Sequence, residues 1–320
     1  MKRFFLGAML IALATPAAAA EVFPSRSITF VVPYAAGGGT DRAARRVAAG
    51  LAEQLKVSVV VDNRLGAGGT IAATSVANSE PNGYTLFFSG SGVFTSVHAL
   101  QKAPKYDPVK SFVPIIQVAR GRYMFVIRDG LPVKTLAEFI AFAKRERGKL
   151  NYGSLGPGSV NHIGMQVFNK AAGIEAVPVP YKGSALAWNG LASGEIDFIL
   201  DGVPGPVGLL QAGKARTLAV TGDRRFAALP DVPTLPEVGV KGVDILFWWG
   251  LLAPAGTPPD IVKTLHDAVE SVLKDEGVQK TFRDLNVELI AGSSQAFATE
   301  IAADVIRWRT YVAPAWPPNS

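Results

Sequence analysis

The chain has 320 residues, of which 48% are hydrophobic and 18% are charged, with 32 Lys and Arg against 26 Asp and Glu. It contains no cysteine, which excludes a disulfide framework and a thiolate metal site. A length of about 300 residues beyond a leader favours two domains with a large core, and the mild basic excess contains no Lys or Arg run that would indicate nucleic-acid binding.

The first 20 residues have the pattern of a secretory signal peptide. Lys2 and Arg3 precede an apolar stretch from Phe4 to Leu13, and the small residues Ala18–Ala20 provide a cleavage site. The apolar stretch is too short for a transmembrane helix. We therefore expect export and cleavage after about Ala20; an uncleaved membrane anchor is the less favoured alternative.

Strands and helices alternate along the first third of the chain. Period-two or β-branched patterns predict strands at 27–32, 57–61 and 84–88, and amphipathic patterns predict helices at 41–55 and 70–77. Such alternation predicts βαβ units and a mostly parallel sheet. The turn at 66–69 before the second helix is interpreted as a tight turn rather than a phosphate contact, with Asp62, Asn63 and Arg64 holding it.

A glycine-rich loop joins the first strand to the first helix. Gly37–Gly39 is followed by Thr40 and Asp41. The N–H groups of Gly38, Gly39 and Thr40, with the Thr40 hydroxyl, could seat an anion. An ordinary turn with Thr40 or Asp41 as the helix N-cap explains the pattern equally well. The loop is neither a P-loop nor a dinucleotide fingerprint, because no Gly-Lys-Ser/Thr follows and Arg42 stands where the third glycine would be.

The middle of the chain repeats the alternation. Strands are predicted at 123–127, 150–153, 177–179, 196–200 and 217–221, and helices at 135–147, 159–172 and 184–193. Thr135 and Glu138 form a predicted capping box. A Pro-rich loop at 228–236 precedes a strand at 244–252 and two helical stretches at 258–274 and 294–313.

A second glycine loop, 151–162, has the same design as the first. Ser154, Ser159, Asn161 and His162 surround its glycines just before a helix, which again predicts an anion site. A catalytic interpretation would make Ser154 or Ser159 a nucleophile and His162 its base, but no Gly-x-Ser-x-Gly elbow is present. The three histidines do not lie at metal-ligand spacing, so we expect no metal site and no cofactor.

Three further places hold candidate ligand contacts. Lys182, after Tyr181, could bring a positive charge to a cleft or could be solvated. Asp201 ends an apolar strand, so its carboxylate could face a cleft or cap a loop, and both interpretations stay open. Trp248 and Trp249 lie in an apolar strand, where packing is favoured over ligand stacking.

A set of short motifs covers nearly all of residues 22–310 in a characteristic order and spacing. The motifs are Pro24–Arg26, Ile28–Asp41, Asp62–Arg64 with Gly66–Thr70, Pro81–Leu86, Ser154–His162, Val179–Gly183, Gly194–Asp197 with Asp201, Ala219–Thr221, Pro233–Thr234, Trp249–Gly250 and Pro254–Pro258. Together they resemble the Bug family, the periplasmic solute-binding proteins of the tripartite tricarboxylate transporter system.

The resemblance implies an α/β fold of the periplasmic-binding-protein type II, or Venus-flytrap, kind. Two α/β domains with mostly parallel sheets would be joined by two crossovers, with domain 1 at 21–122 plus 245–320 and domain 2 at 123–244. A small carboxylate would close between the two glycine loops, and membrane transporter subunits would receive it. We expect a periplasmic monomer that is not an enzyme and binds no nucleic acid. A sensor-kinase ectodomain as recipient and a secreted Ser/His hydrolase are the alternatives.

The expected ligand contacts come from the two loops and from the strand ends. The family pattern usually has Pro where this chain has Ala36, and the extra freedom at Ala36 leaves the geometry of the first loop less defined than the family's. The family usually has Phe where this chain has Tyr34, which adds a hydroxyl near the pocket. The expected contacts are Tyr34, Ala36, Gly38, Gly39, Thr40, Asp41, Ser91, Ser154, Gly156, Gly158, Ser159, His162, Tyr181, Lys182 and Asp201.

Overall fold

The structure is a computed structural model that describes residues 22–96, 100, 105–156, 159–202, 207–227 and 229–315. The predicted signal peptide and Gly158 lie outside the described residues.

Within the described residues, ten strands form one connected sheet. The strands are β1 (Ile28–Val32), β2 (Val59–Asn63), β3 (Thr85–Gly90), β4 (Phe112–Arg128), β5 (Asn151–Ser154), β6 (Val177–Pro180), β7 (Phe198–Gly202), β8 (Ala215–Val220), β9 (Leu246–Pro254) and β10 (Glu288–Gly292).

Helices cover the sheet and connect its strands. They are α1 (Gly39–Leu55), α2 (Thr70–Ala77), α3 (Ser91–Phe94), α4 (Leu136–Arg145), α5 (Val160–Ala172), α6 (Ser184–Ser193), α7 (Val207–Gln211), α8 (Pro259–Leu273), α9 (Glu276–Asp284) and α10 (Ser294–Ala315). Short 3₁₀ turns occupy Ala67–Gly69 and Pro236–Val238.

The 17-residue strand β4 connects two groups of strands. Its residues 112–122 pair with β9 and β10, and its residues 123–128 pair with β7 and β8. The chain passes between the groups a second time, between β8 and β9. The predicted domain boundaries fall inside β4 and just before β9.

The α/β class is confirmed, but the sheet is mixed rather than mostly parallel. β1 pairs in parallel with β2 and β3, and β5 pairs in parallel with β6 and β7. β4 and β9 lie between these trios and pair antiparallel with their neighbours. The sequence pattern identified only the second half of β4, because Pro114, Gln117 and Arg120 interrupt the apolar run of the first half.

The helix starts show which cap predictions hold. The capping box of α4 is confirmed, because the Glu138 N–H donates to Thr135 Oγ1 at 3.2 Å and the Thr135 N–H donates to Glu138 Oε2 at 3.3 Å. The predicted cap of α1 is wrong. Gly38 is its N-cap, no side chain bonds there, and Thr40 and Asp41 lie inside the first turn. The helix α9 and the strand β10 were missed. α9 buries Val278 and Phe282 at helical spacing, but its charged residues outnumber these apolar ones, and β10 is only five residues long.

Aromatic side chains fill the core on both sides of the β4 crossing. Phe125 packs against Phe139, Phe168 and Phe198 at ring-centroid distances of 4.5–5.4 Å. On the other side, Phe94 packs between Phe112 and Trp248. Each strand group therefore has apolar packing of its own, and β4 contributes to both.

We expect Thr135→Ala to lower the free energy of unfolding by about 1 kcal/mol, because it removes the side-chain acceptor of the α4 capping box. Urea unfolding followed by tryptophan fluorescence measures the change. Thr299→Ala is the matched control, since Thr299 is an exposed residue inside α10 and Ala is the better helix former. A loss at Thr299 as large as the loss at Thr135 would contradict the capping explanation.

Candidate functional site

A cleft of about 620 Å³ lies where the carboxyl ends of β1, β3 and β7 meet the crossing strands β4 and β9. Ligands of α/β proteins bind at such strand ends. The polar residues of its wall are Thr40, Ser91, Ser96, Ser159, Asn161, Ser184 and Asp201; the glycine and alanine backbone comes from Ala67, Gly68, Gly90, Gly92 and Gly202; the apolar and aromatic residues are Tyr34, Leu100, Tyr123, Leu155, Val160, Phe247, Trp248 and Trp249.

Three of the longer helices start at the cleft wall, and the one-turn helix α3 also starts there, at Ser91. Thr40 is in the first turn of α1, Val160 is the first residue of α5, and Ser184 is the first residue of α6. A helix start has unpaired N–H donors and a partial positive charge. No Lys, Arg or His lines the wall among the described residues. Helix ends and hydroxyl groups are therefore the groups that can bind an anion here.

The buried side chain of Asp41 holds the first glycine loop in place. Its carboxylate accepts from the Gly37 N–H at 2.8 Å, from Arg45 Nε at 3.0 Å and from Asn63 Nδ2 at 2.9 Å. Asn63 Nδ2 also donates to the Tyr34 carbonyl at 2.9 Å. Burial raises the pKa of Asp41, but the hydrogen bonds from Arg45, Gly37 and Asn63 outweigh it, so the pKa lies below its ordinary value.

The side chains of Asn161 and Ser159 hold the second loop with two hydrogen bonds each. The Leu155 N–H donates to Asn161 Oδ1 at 3.0 Å, while Asn161 Nδ2 donates to the Leu200 carbonyl. Ser159 is the N-cap of α5: its hydroxyl accepts from the His162 N–H at 3.1 Å and donates to the Gly156 carbonyl at 2.8 Å. The Ser159 proton is thus already used within the loop. The N–H groups of Val160 and Asn161, in the first turn, remain for a ligand.

Ser154 and His162 form a buried pair behind the second loop. Ser154 Oγ lies 2.8 Å from His162 Nδ1 and accepts from the Gly156 N–H at 3.2 Å. Burial lowers the pKa of His162, which favours the neutral imidazole. Ser154 is only 2% exposed, and neither residue lines the cleft.

The structure divides the predicted contact residues. Five of them lie together on the cleft wall: Tyr34, Thr40, Ser91, Ser159 and Asp201. Nine others do not lie on the cleft wall: Ala36, Gly38, Gly39, Asp41, Ser154, Gly156, His162, Tyr181 and Lys182. Gly158 is outside the described residues.

The residues that do not line the cleft differ in their burial and packing. Ala36, Gly38 and Lys182 are exposed, while Asp41, Ser154 and His162 are buried and support the loops. Tyr181 packs against α6, where a Cβ at Gly190 would overlap its hydroxyl. The predicted set therefore contains wall residues, buried residues that support the loops, and exposed residues that do neither.

Several wall residues were not expected from the sequence. Ala67 and Gly68 reach the wall although their turn was interpreted as structural, and Ser184 does so through the start of α6. Trp248 is 1% exposed, donates from Nε1 to Asp304 Oδ2 at 2.8 Å and still borders the cleft. Packing was therefore the right interpretation for Trp248, but its place near the start of β9 also makes it part of the cleft wall.

Among the described residues, no three His, Asp or Glu side chains are grouped so that they could hold a metal ion. In the same part of the chain, no helix combines the length and the apolar character that a membrane crossing needs.

Comparison with known families gives a match over most of the chain. Residues 43–314 match the model of the tripartite tricarboxylate transporter family receptor. A relative from Cupriavidus necator, described as a UPF0065 protein in the gbd 5' region, is 34% identical over 317 residues, which is 96% of this chain and 95% of the relative.

Solved structures with bound carboxylates resemble this fold. MatC from Rhodopseudomonas palustris, solved with malate, is 33% identical with a TM-score of 0.80 and covers 91% of this chain and 100% of its own. A second R. palustris protein, solved with adipate, is 35% identical with a TM-score of 0.82 and covers 92% of this chain and 98% of its own.

We expect Asp41→Ala to lower the free energy of unfolding by about 2–3 kcal/mol, because it leaves the Gly37 N–H and Asn63 without their charged acceptor. Arg45→Ala is the matched control. It removes a half-exposed partner of the same carboxylate and should cost less than about 1 kcal/mol. Urea unfolding measures both losses of stability. Equal losses would show that the Arg45–Asp41 ion pair, and not the hydrogen bonds from Gly37 and Asn63, holds the loop.

Proposed function

This chain belongs to the tripartite tricarboxylate transporter receptor family, and on that premise we propose that it is a periplasmic solute-binding protein that captures a small carboxylate in the cleft. It then delivers the carboxylate to the membrane subunits of a tripartite transporter. The observation that carries the proposal is the meeting of three helix starts on a cleft wall that has no cationic side chain among its described residues. The malate and adipate bound by the two similar proteins support the ligand class.

A carboxylate would dock on the start of α5. The N–H groups of Val160 and Asn161 supply charge-assisted hydrogen bonds, and the partial positive charge of the helix end adds to them. The Thr40 hydroxyl, in the first loop, makes no hydrogen bond with a described residue and is available to the ligand. Each donor contributes on the order of 1–3 kcal/mol once water leaves the cleft.

Closure of the two strand groups around the ligand would complete the site. The proposed hinges are β4 near residues 122–123 and the connection before β9. Gly121 lies at the first hinge, where a Cβ would overlap the ring of Phe247, a residue of the cleft wall. A ligand that touches both loops binds the closed form better, so it shifts the population toward closure. The transporter subunits, or a sensor-kinase ectodomain as the alternative recipient, would recognise that form.

The experiment that tests the ligand class is a thermal-shift screen with mono-, di- and tricarboxylates, aromatic acids and amino acids. A ligand of the folded state raises the melting temperature by mass action. We expect at least one carboxylate to raise it, and an unchanged melting temperature with every carboxylate would reject the proposed function. Uptake of the identified carboxylate by cells with and without this protein then tests delivery to the transporter.

We expect Thr40→Val to weaken carboxylate binding by about 1–2 kcal/mol with little change in stability, because Val keeps the shape of Thr40 and removes its hydroxyl. Ser159→Ala should weaken binding and also lower the free energy of unfolding by about 1 kcal/mol, since Ser159 is the cap of α5. Calorimetry and urea unfolding separate the two effects. Unchanged affinity in both variants would contradict ligand docking at these helix starts.

The Ser154–His162 pair keeps the hydrolase alternative testable. The 2.8 Å contact has the distance of a nucleophile and its base. The pair is buried behind the loop, however, and no described carboxylate bonds to His162. We therefore expect no hydrolysis of p-nitrophenyl acetate above the background rate, and the same rate for Ser154→Ala and His162→Gln. A wild-type rate above background that both variants abolish would establish the hydrolase instead.

A further inference from the structure

One carboxyl group on the cleft wall stands apart from the neutral donors around it. Asp201, in β7, is 5% exposed and lines the cleft. Its Oδ1 accepts from the Gly202 N–H at 2.9 Å. Its Oδ2 is buried and has no hydrogen-bond partner among the described residues. A buried acceptor without a partner is costly, so this oxygen is a place where a ligand group can add a bond.

Within the described part of the chain, no cationic side chain compensates the charge of Asp201. The side chains of Ser184 and Trp188 come from α6 close enough to stabilise the carboxylate, but neither reaches hydrogen-bond geometry with Oδ2. Tyr123 faces Asp201 from β4. Burial, with a smaller contribution from Asp201, raises the pKa of Tyr123, so the phenol stays neutral. Burial also raises the pKa of Asp201 to about 6, while Ser184, the Gly202 N–H and Trp188 oppose that shift. The carboxyl group therefore ionises as the pH rises above about 6, and no cationic side chain lies beside it among the described residues.

An ionised wall carboxylate restricts what can bind. A ligand carboxylate next to it would be repelled, because no Lys, Arg or His on the described wall screens the two charges. A ligand hydroxyl or ammonium group would instead donate to the free oxygen and form a charge-assisted hydrogen bond. A site built to accept such a donor discriminates against the analogue that lacks it.

We propose that the ligand of this cleft carries, beside its carboxylate, a hydroxyl or ammonium group that donates to Asp201 Oδ2. Asp201 is thus the residue that selects hydroxy or amino carboxylates over their unsubstituted analogues. This inference rests on the proposed function, since it concerns the same cleft and the same carboxylate ligand.

Matched ligands test the proposal by calorimetry. Three series each keep one carbon skeleton: propionate, lactate and alanine; succinate, malate and aspartate; and glutarate, 2-hydroxyglutarate and glutamate. In the series that fits the cleft, we expect the hydroxy or amino member to bind at least about tenfold more tightly than the unsubstituted acid. The hydroxyl and ammonium members of that series show which donor the site takes.

Asp201→Asn and Asp201→Leu show whether this residue makes the selection. Both variants remove the charge, and Leu also removes every acceptor. We expect the ratio of affinities between an amino acid and its unsubstituted acid to fall at least about tenfold in both. For a hydroxy acid, the ratio should fall mainly in the Leu variant, because Asn can still accept. The ratio within one variant cancels any general damage to the cleft.

The pH dependence gives an independent readout with a defined sign. Binding of the donor-bearing ligand should strengthen as the pH rises from about 5 to about 7, because Asp201 must be ionised to accept strongly. Binding of the unsubstituted acid at Asp201 should weaken over the same range, because it is favoured by the protonated group. Asp201→Asn should flatten both profiles.

The outcomes separate this inference from the proposed function. If substituted and unsubstituted acids bind equally well and both Asp201 variants keep that equality, the selection is wrong while carboxylate capture stands. If an unsubstituted acid binds more tightly and its affinity falls with rising pH, Asp201 shares a proton with a ligand carboxyl and the proposal is overturned. If no carboxylate binds at any pH, the proposed function itself fails.

Discussion

The pairing of β4 along both of its edges is the constraint on which the cleft depends. Residues 112–122 of this strand bond to β9 and β10, and residues 123–128 bond to β7 and β8. Backbone hydrogen bonds of a ladder leave little freedom in register, so one strand positions both groups. The ends of β1, β3 and β7 consequently border one cavity, and Tyr123 and Phe247 form its wall at the crossing.

Among its described residues, the cleft wall combines uncharged hydrogen-bond donors with one carboxylate, Asp201, whose Oδ2 has no partner. Helix ends and hydroxyl groups are fixed parts of the fold, so they can bind an anion without ordering a long Lys or Arg side chain. Their positions depend on buried supports: Asp41 under the first loop, and Asn161 and the Ser159 cap in the second. Asp201 adds the opposite charge to this arrangement. A ligand that bonds both to the helix ends and to Asp201 needs an acceptor group for the former and a donor group for the latter.

Many of the elements follow from local sequence, and particular residues show why. The apolar spacing of α1 buries Ala44, Val47 and Leu51, and the α4 capping box follows from Thr135 and Glu138 alone. The first half of β4 and the strand β10 do not follow, because their pairing with distant strands decides their structure. The parallel trios were expected, but the antiparallel insertion of β4 and β9 between them was not.

By itself, the sequence determined the family motifs, the α/β alternation and the two glycine loops that precede α1 and α5, because these features depend on residues close together in the chain. Only the tertiary structure decided which of their residues face the cleft. Thr40 and Ser159 reach its wall, whereas Asp41 and Ser154 turn inward to buried partners. It also decided that Asp201 keeps a free oxygen, since that depends on what α6 and β4 bring near it. Side-chain direction and hydrogen-bond partners across distant segments are set by packing, which no local pattern specifies.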